Sequence, residues 1–283
     1  MRVVSWPVIT LMRSIQKIEV SGHAHVPDTG PVIVVSNHTG HLDGPAVGVV
    51  MYEMGMPPSF LAKEELFSVP VLGWAIRNLG QIPAARGSKK AKDSLDHASK
   101  AIERNACIAI FPEGTFTHDP DGWPMKGKTG VARLVAKHPD VPVLPLAQWG
   151  NGDLIHPFTG KVAWRKILRR TETLWAHCGA PVDLSHSRNQ PVTAELLAEM
   201  TETIMSALTE QVRILREREA EEKGTAVPPV PERRFDVVAD ADRDPFAQID
   251  AENRARHKRK HARRRNLGQA VGNVIGRIRS IGR

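Results

Sequence analysis

The chain has 283 residues, 41% of them hydrophobic, with a formal net charge of +8 and two cysteines. That length and apolar content allow one substantial core with residues left over for appendages, while two cysteines exclude a disulfide-built scaffold and fit a reducing, cytosolic compartment. A uniformly basic body is also excluded, because residues 251–283 alone carry +10 and leave the remainder at about −2.

No apolar run reaches the ~18 residues that span a bilayer. No small-residue cleavage site follows the early Arg2, Arg13 and Lys17, so no signal peptide is expected. Residues 1–18 space Val4, Val8, Leu11, Met12, Ile15 and Ile18 as one helical stripe, with Trp6 near the start. Such a helix suits a membrane interface and equally suits packing on a domain.

Val32–Val35 is a β-branched apolar run, the mark of a buried strand, and it feeds Ser36-Asn37-His38-Thr39-Gly40-His41-Leu42-Asp43 before a helix over Gly44–Tyr52. Strand ends of this kind carry the sites of α/β proteins. On a continuous helix, residues five apart point about 140° away from each other, so His38 and Asp43 meet only if the chain turns between them, as Gly40 permits. A neutral imidazole accepts a proton from an alcohol, and a carboxylate on its other nitrogen fixes the tautomer and stabilises the imidazolium. Asp43 could instead cap the helix. His38, His41 and Asp43 offer three metal-ligand types without a fourth ligand, so no metal is expected. No Gly-x-Ser-x-Gly elbow supplies a nucleophile, so the hydroxyl activated belongs to the substrate.

A short strand from Ser59 runs into a helix, and Leu66–Ile76 is apolar enough either to sit in the core or to face lipid. Gly80–Gly87 then presents Arg86 from a loop, where it can meet a phosphate or remain solvated. After an amphipathic helix over Lys89–Arg104, the strand Ala106–Phe111 ends in Pro112-Glu113-Gly114-Thr115, a second acid and hydroxyl delivered to a strand end. Lys126-Gly-Lys128-Thr-Gly130 opens a helix as an anion site, although the first glycine of a Walker loop is missing. Pro142 and Pro145 mark Val141–Leu146 as an edge or irregular strand, and Thr173–Pro181 holds the last strand. A long helix spans Thr193–Glu222; Thr225–Asp250, with Pro228, Pro229 and Pro231, reads as a disordered linker.

Asn37-His38-x4-Asp43, Gly80-x-Ile82-x3-Arg86, Phe111-Pro-Glu-Gly-Thr115 and Val141-Pro-Val-x-Pro145 occur in this order. The ordered set resembles the glycerolipid acyltransferase family, the group containing 1-acyl-glycerol-3-phosphate acyltransferases, over about residues 18–215. The resemblance implies an α/β fold, a central mixed sheet flanked by helices, with His38 as general base and Asp43 orienting it. It further implies that Asn37, Arg86, Glu113, Gly114, Thr115 and Pro145 line the substrate site; Lys128, at the glycine-rich helix start, joins them as a candidate anion ligand read from the sequence itself. The substrates implied are a lysophospholipid acceptor and an acyl thioester donor, acyl-CoA or acyl carrier protein, with no dissociable cofactor. One departure stands out: the third block commonly continues Arg-Ser, whereas here Phe116-Thr117 follows. Lys126, Lys128 or Arg133 could restore the missing charge.

The expected organisation is an amphipathic helix at 1–18, an acyltransferase domain at 19–222, a Pro/acidic linker at 223–250 and a polybasic amphipathic tail at 251–283. In the tail, Leu267, Val271, Val274, Ile278 and Ile281 keep helical spacing, which suits an anionic membrane surface better than nucleic acid. A peripheral protein on the cytoplasmic face of the plasma membrane is expected. Another acceptor, glycerol 3-phosphate or a different lysolipid, and a non-catalytic lipid- or nucleic-acid-binding scaffold are the competing readings.

Overall fold

The computed structural model describes residues 2–84, 88–152, 154–249, 251–253 and 255. It has two compact units, Met1–Asp236 and Val237–Arg283. In the first, α1 (Arg2–Ile15) leads to β1 (Lys17–Ser21), β2 (Ile33–Val35), α2 (Asp43–Glu53), β3 (Pro58–Lys63), α3 (Leu72–Asn78), β4 (Ile82–Ala84), α4 (Ser88–Ile102) and β5 (Cys107–Ile110). It continues with α5 (Gly130–Lys137), β6 (Val143–Trp149), α6 (Trp164–Arg169), β7 (Thr173–Cys178) and α7 (Ala194–Lys223).

The strands form one seven-stranded sheet in the order β1-β7-β6-β2-β5-β3-β4. β6, β2, β5, β3 and β4 are mutually parallel, and the β6–β7 pairing is antiparallel, so β1 and β7 run against the rest. The C-terminal ends of β2, β3, β5 and β6 therefore share one edge, the edge at which α/β sheets place their sites.

Parallel strands are covered on both faces, which accounts for the unbroken apolar runs. Successive residues of β2 alternate between two cores. Val34 packs with Ala109, Leu144, Val47, Met51 and Met12, on the side of α1 and α2. Ile33 and Val35 pack with Ile108, Val143, Leu134, Met200 and Ile204, on the side of α5 and α7. Both cysteines are buried free thiols, and burial pushes that of Cys178 up to about 11. The Thr193 hydroxyl accepts from Leu196 N–H to start α7, and Gly224, at φ +63°, ends it.

Some sequence expectations change, and others that were left open are decided. The first helix stops at Ile15, because residues 17–21 pair with β7 rather than continue the coil. Met12 is buried against the core, while Trp6 and Leu11 stay exposed, so the helix packs on the domain and leaves two apolar side chains on its outer surface. β6 is internal rather than an edge strand. Its Pro145 lies where β7 turns away, and its carbonyl accepts Gly179 N–H at 2.9 Å, so the missing donor faces the end of the ladder. Leu66–Ile76 is not core: Val71 is 80% and Trp74 59% exposed.

Residues 225–236 lie against the domain instead of forming a free linker. Phe235 is buried, its carbonyl accepts Lys126 N–H at 3.0 Å, and Arg234 binds Glu202, Ser206 and Thr209 of α7. An arginine and a phenylalanine after three prolines supply an anchor that composition hides. Of the second unit, residues 237–249 are largely turns, and nearly all of the basic tail lies outside the described residues.

Candidate active site

His38 sits in the turn between β2 and α2, and Asp43 is the first residue of α2. The turn folds the pair together: Asp43 Oδ2 accepts from His38 Nδ1 at 2.8 Å, from Thr39 N–H at 2.5 Å and from Gly40 N–H at 2.7 Å. The carboxylate thus ties the turn rather than capping the helix. Asp43 is fully buried, whereas the His38 side chain is 21% exposed. Because Asp43 accepts, Nδ1 carries the proton and Nε2 keeps its lone pair for a substrate.

Two aromatic rings hold the imidazole. Phe111 stacks on it at 4.4 Å and Phe116 meets it edge-on at 4.6 Å. Phe116 also touches His41, at 4.8 Å. The residue that departs from the family pattern is therefore a wall of the imidazole.

Glu113 is turned into the protein interior. It is 3% exposed; Oε1 accepts His38 N–H at 3.0 Å and Oε2 accepts Met125 N–H at 2.9 Å. Burial raises its pKa to about 8, against the pull of those two N–H groups. The side chain clamps the His38–Asp43 turn to the segment after β5, and Thr117 N–H adds a bond to His38 C=O at 2.7 Å. Expected as a substrate contact, Glu113 is a positioning residue.

Asn37 is corrected in the same way. It is 1% exposed and exchanges bonds with the Gln148 backbone, Nδ2 to C=O and N–H to Oδ1, both at 2.9 Å. Gln148 Nε2 returns a bond to Asn37 C=O. Its Oε1 accepts from Asn151 Nδ2 at 2.8 Å, and Asn151 Oδ1 accepts from Gln16 Nε2 at 2.9 Å. Four buried amides thus run from the turn to the end of α1. Sequence analysis missed Gln148, Asn151 and Gln16, although an uncharged polar residue within the apolar run of β6 was an available signal.

Gly114 adopts φ +70°, and a Cβ there would lie 2.4 Å from Lys128 Nζ. The lysine thus reaches over the glycine next to Glu113, with its own N–H donating to Pro112 C=O at 2.9 Å. Lys126 instead pairs with Asp236 at 3.0 Å, and Arg133 projects from α5 to solvent. Of the three cations that could replace the missing arginine, Lys128 is the one at the turn. Thr115 follows Gly114, half-buried, and Pro145 lies level with Val35, one residue below the turn. Arg86 falls outside the described residues.

The segment after the turn is pinned from α7. The Arg216 guanidinium lies between the Trp123 and Trp149 rings, 4.3 and 4.5 Å from their centroids, and donates to Asp121 C=O.

This arrangement coincides with a known family. The Acyltransferase family model matches residues 17–149, which hold β1 to β6, the His38–Asp43 turn and the Glu113–Lys128 segment. Residues 17–149, nearly half of the chain, are thus similar to the acyltransferase family. It is 30% identical over 141 residues to a chloroplastic 1-acyl-sn-glycerol-3-phosphate acyltransferase, BAT2, of Brassica napus, covering 49% of this chain and 39% of that one. It is 37% identical over 92 residues to the 1-acyl-sn-glycerol-3-phosphate acyltransferase of Helicobacter pylori, covering 31% and 36%. With the lyso-ornithine lipid O-acyltransferase of Pseudomonas aeruginosa it shares 29% over 148 residues, 51% of this chain and 53% of that one. The chain thus spans about half the length, or less, of these curated relatives. The crystal structure of the lysophosphatidate acyltransferase PlsC from Thermotoga maritima superposes with a TM-score of 0.53 at 23% identity, covering 76% of this chain and 80% of that one, which shows the shared fold.

Proposed function

We propose that the protein transfers a fatty acyl group from an acyl thioester, acyl-CoA or acyl carrier protein, to the free hydroxyl of lysophosphatidic acid, making phosphatidic acid for phospholipid synthesis. The observation that carries this is the His38–Asp43 pair, a base oriented through Nδ1 with Nε2 left free and no protein nucleophile of its own. Nε2 takes the acceptor's hydroxyl proton as that oxygen bonds to the thioester carbonyl carbon. The carbon–sulfur bond then breaks, and the imidazolium returns the proton to the departing thiolate. Asp43 stabilises the imidazolium in between. The acyl thioester is a co-substrate, and the chemistry calls for no dissociable cofactor. Lys128 over Gly114 meets the acceptor phosphate, with Arg86 as its partner in that task.

Among the described residues no helix is long and apolar enough to cross a membrane, and we place the protein peripherally, on the cytoplasmic face of the plasma membrane. The Phe116 edge on His38 favours a second reading, in which the acceptor is another lysolipid with less charge beside its hydroxyl.

The test is thiol release from a long-chain acyl-CoA with and without lysophosphatidic acid, in wild type and His38→Ala. Acceptor-dependent release lost in the variant supports acyl transfer. Release without acceptor indicates a thioesterase, and silence with every thioester donor and lysolipid tried returns the chain to a scaffold. Lys128→Ala is expected to raise the acceptor KM about 10- to 100-fold, the worth of one charged hydrogen bond, while Lys126→Ala leaves it near wild type. Equal KM values for Lys128→Ala and wild type would remove the lysine from the site.

A further inference from the structure

Six of the twelve large apolar side chains exposed among the described residues leave the sheet by the strand edge that bears His38. The segment after β3 exposes Leu66, Val69, Val71 and Trp74 by 38%, 43%, 80% and 59%; the segment after β6 exposes Trp164 and Leu168 by 65% and 81%. In the sheet, β3 and β6 stand on either side of β5 and β2, the two strands that deliver Glu113 and His38. All four are parallel, so both apolar segments and both catalytic turns leave by the same edge.

We infer that these two segments form a divided lip that docks the site-bearing edge on a lipid bilayer, one segment on each side of the catalytic turn. Tryptophan with aliphatic neighbours is the side-chain set of a membrane interface. Exposed cations flank it: Arg77 on α3, and Arg165 and Arg169 on α6, which complement anionic headgroups. Val71 also holds a β-branched side chain outward at φ +64°, a strained conformation with no packing gain within the described core. The lip is separate from α1 and the basic tail, and it adds an orientation: with both segments inserted, the acceptor's hydroxyl reaches His38 from the lipid plane.

Partition onto sucrose-loaded vesicles of equal parts phosphatidylglycerol and phosphatidylcholine tests this with the full chain and no substrate, so its result is independent of whether acyl transfer occurs. Salt at ~0.5 M suppresses attraction by the tail, since the Debye length is then only a few ångströms. Trp74→Lys and Leu168→Lys are each expected to lower partition by about tenfold or more despite adding positive charge. Val192→Lys should bind as wild type, because Val192, 58% exposed, follows β7, whose end lies at the opposite edge. Unchanged partition in the Trp74 and Leu168 variants overturns the proposal. An equal loss in the Val192 variant does so too, and so does a loss of dimer rather than of vesicle binding, which would make the lip a contact between copies.

Discussion

Asp43→Asn is expected to lower kcat by about 10³- to 10⁴-fold while leaving the acceptor KM near wild type, the scale of the same loss in histidine–aspartate pairs of hydrolases. The amide can turn its oxygen to the Thr39 and Gly40 N–H groups and so keep the turn. It can no longer offset the imidazolium charge. If its NH₂ turns to His38 instead, Nδ1 must accept and the proton moves to Nε2, which leaves no base. Steady-state kinetics on the purified variant decide the matter. A kcat within tenfold of wild type would mean that Asp43 serves the turn alone, and the 2.8 Å contact to Nδ1 would be structural.

Glu113→Gln is expected to change how stability depends on pH. The buried carboxyl is raised from 4.5 to about 8, so between these values the folded chain keeps a proton that the unfolded chain releases. Stability then falls as pH rises through this window, by at most about 1.4 kcal/mol per pH unit, and levels off above it. Glutamine cannot titrate, and its NH₂ must face one of the two backbone donors, from His38 or Met125, leaving that group unsatisfied at a cost of about 1–3 kcal/mol. Urea unfolding at a series of pH values should show wild type exceeding the variant most near pH 4.5, with the gap closing and then reversing toward pH 8. A gap of constant size across the window would show that Glu113 titrates in the fold as it does in the unfolded chain.

Much of this architecture is legible in short patterns. The run Val32–Val35 announces a strand buried on both faces, His38-x4-Asp43 requires a turn, and the apolar stripe of Leu197, Met200, Ile204 and Leu208 marks α7. Composition does not say which way a side chain points. It cannot separate an acid that meets substrate from one that clamps two backbone amides, so Glu113 and Asn37 read as ligands. It cannot decide whether Leu66–Ile76 is core or surface, since both need the same residues. Nor does spacing show that Lys128 crosses Gly114 rather than serving the start of α5, because that contact depends on how the segment after β5 folds back.

The bonds that shape the His38 turn also set when it can be completed. β2 pairs with β5 and β6, partners some 75 and 110 positions later in the chain; the imidazole's neighbours come from residues 111–117, the amide of Asn37 is held from residue 148, and the segment after the turn is gripped by Arg216. Contacts so distant in sequence form late and slowly. A nascent chain that has passed Asp43 carries the histidine and the carboxylate, yet the packing around them is complete only once more than half the protein, and then α7, has been added.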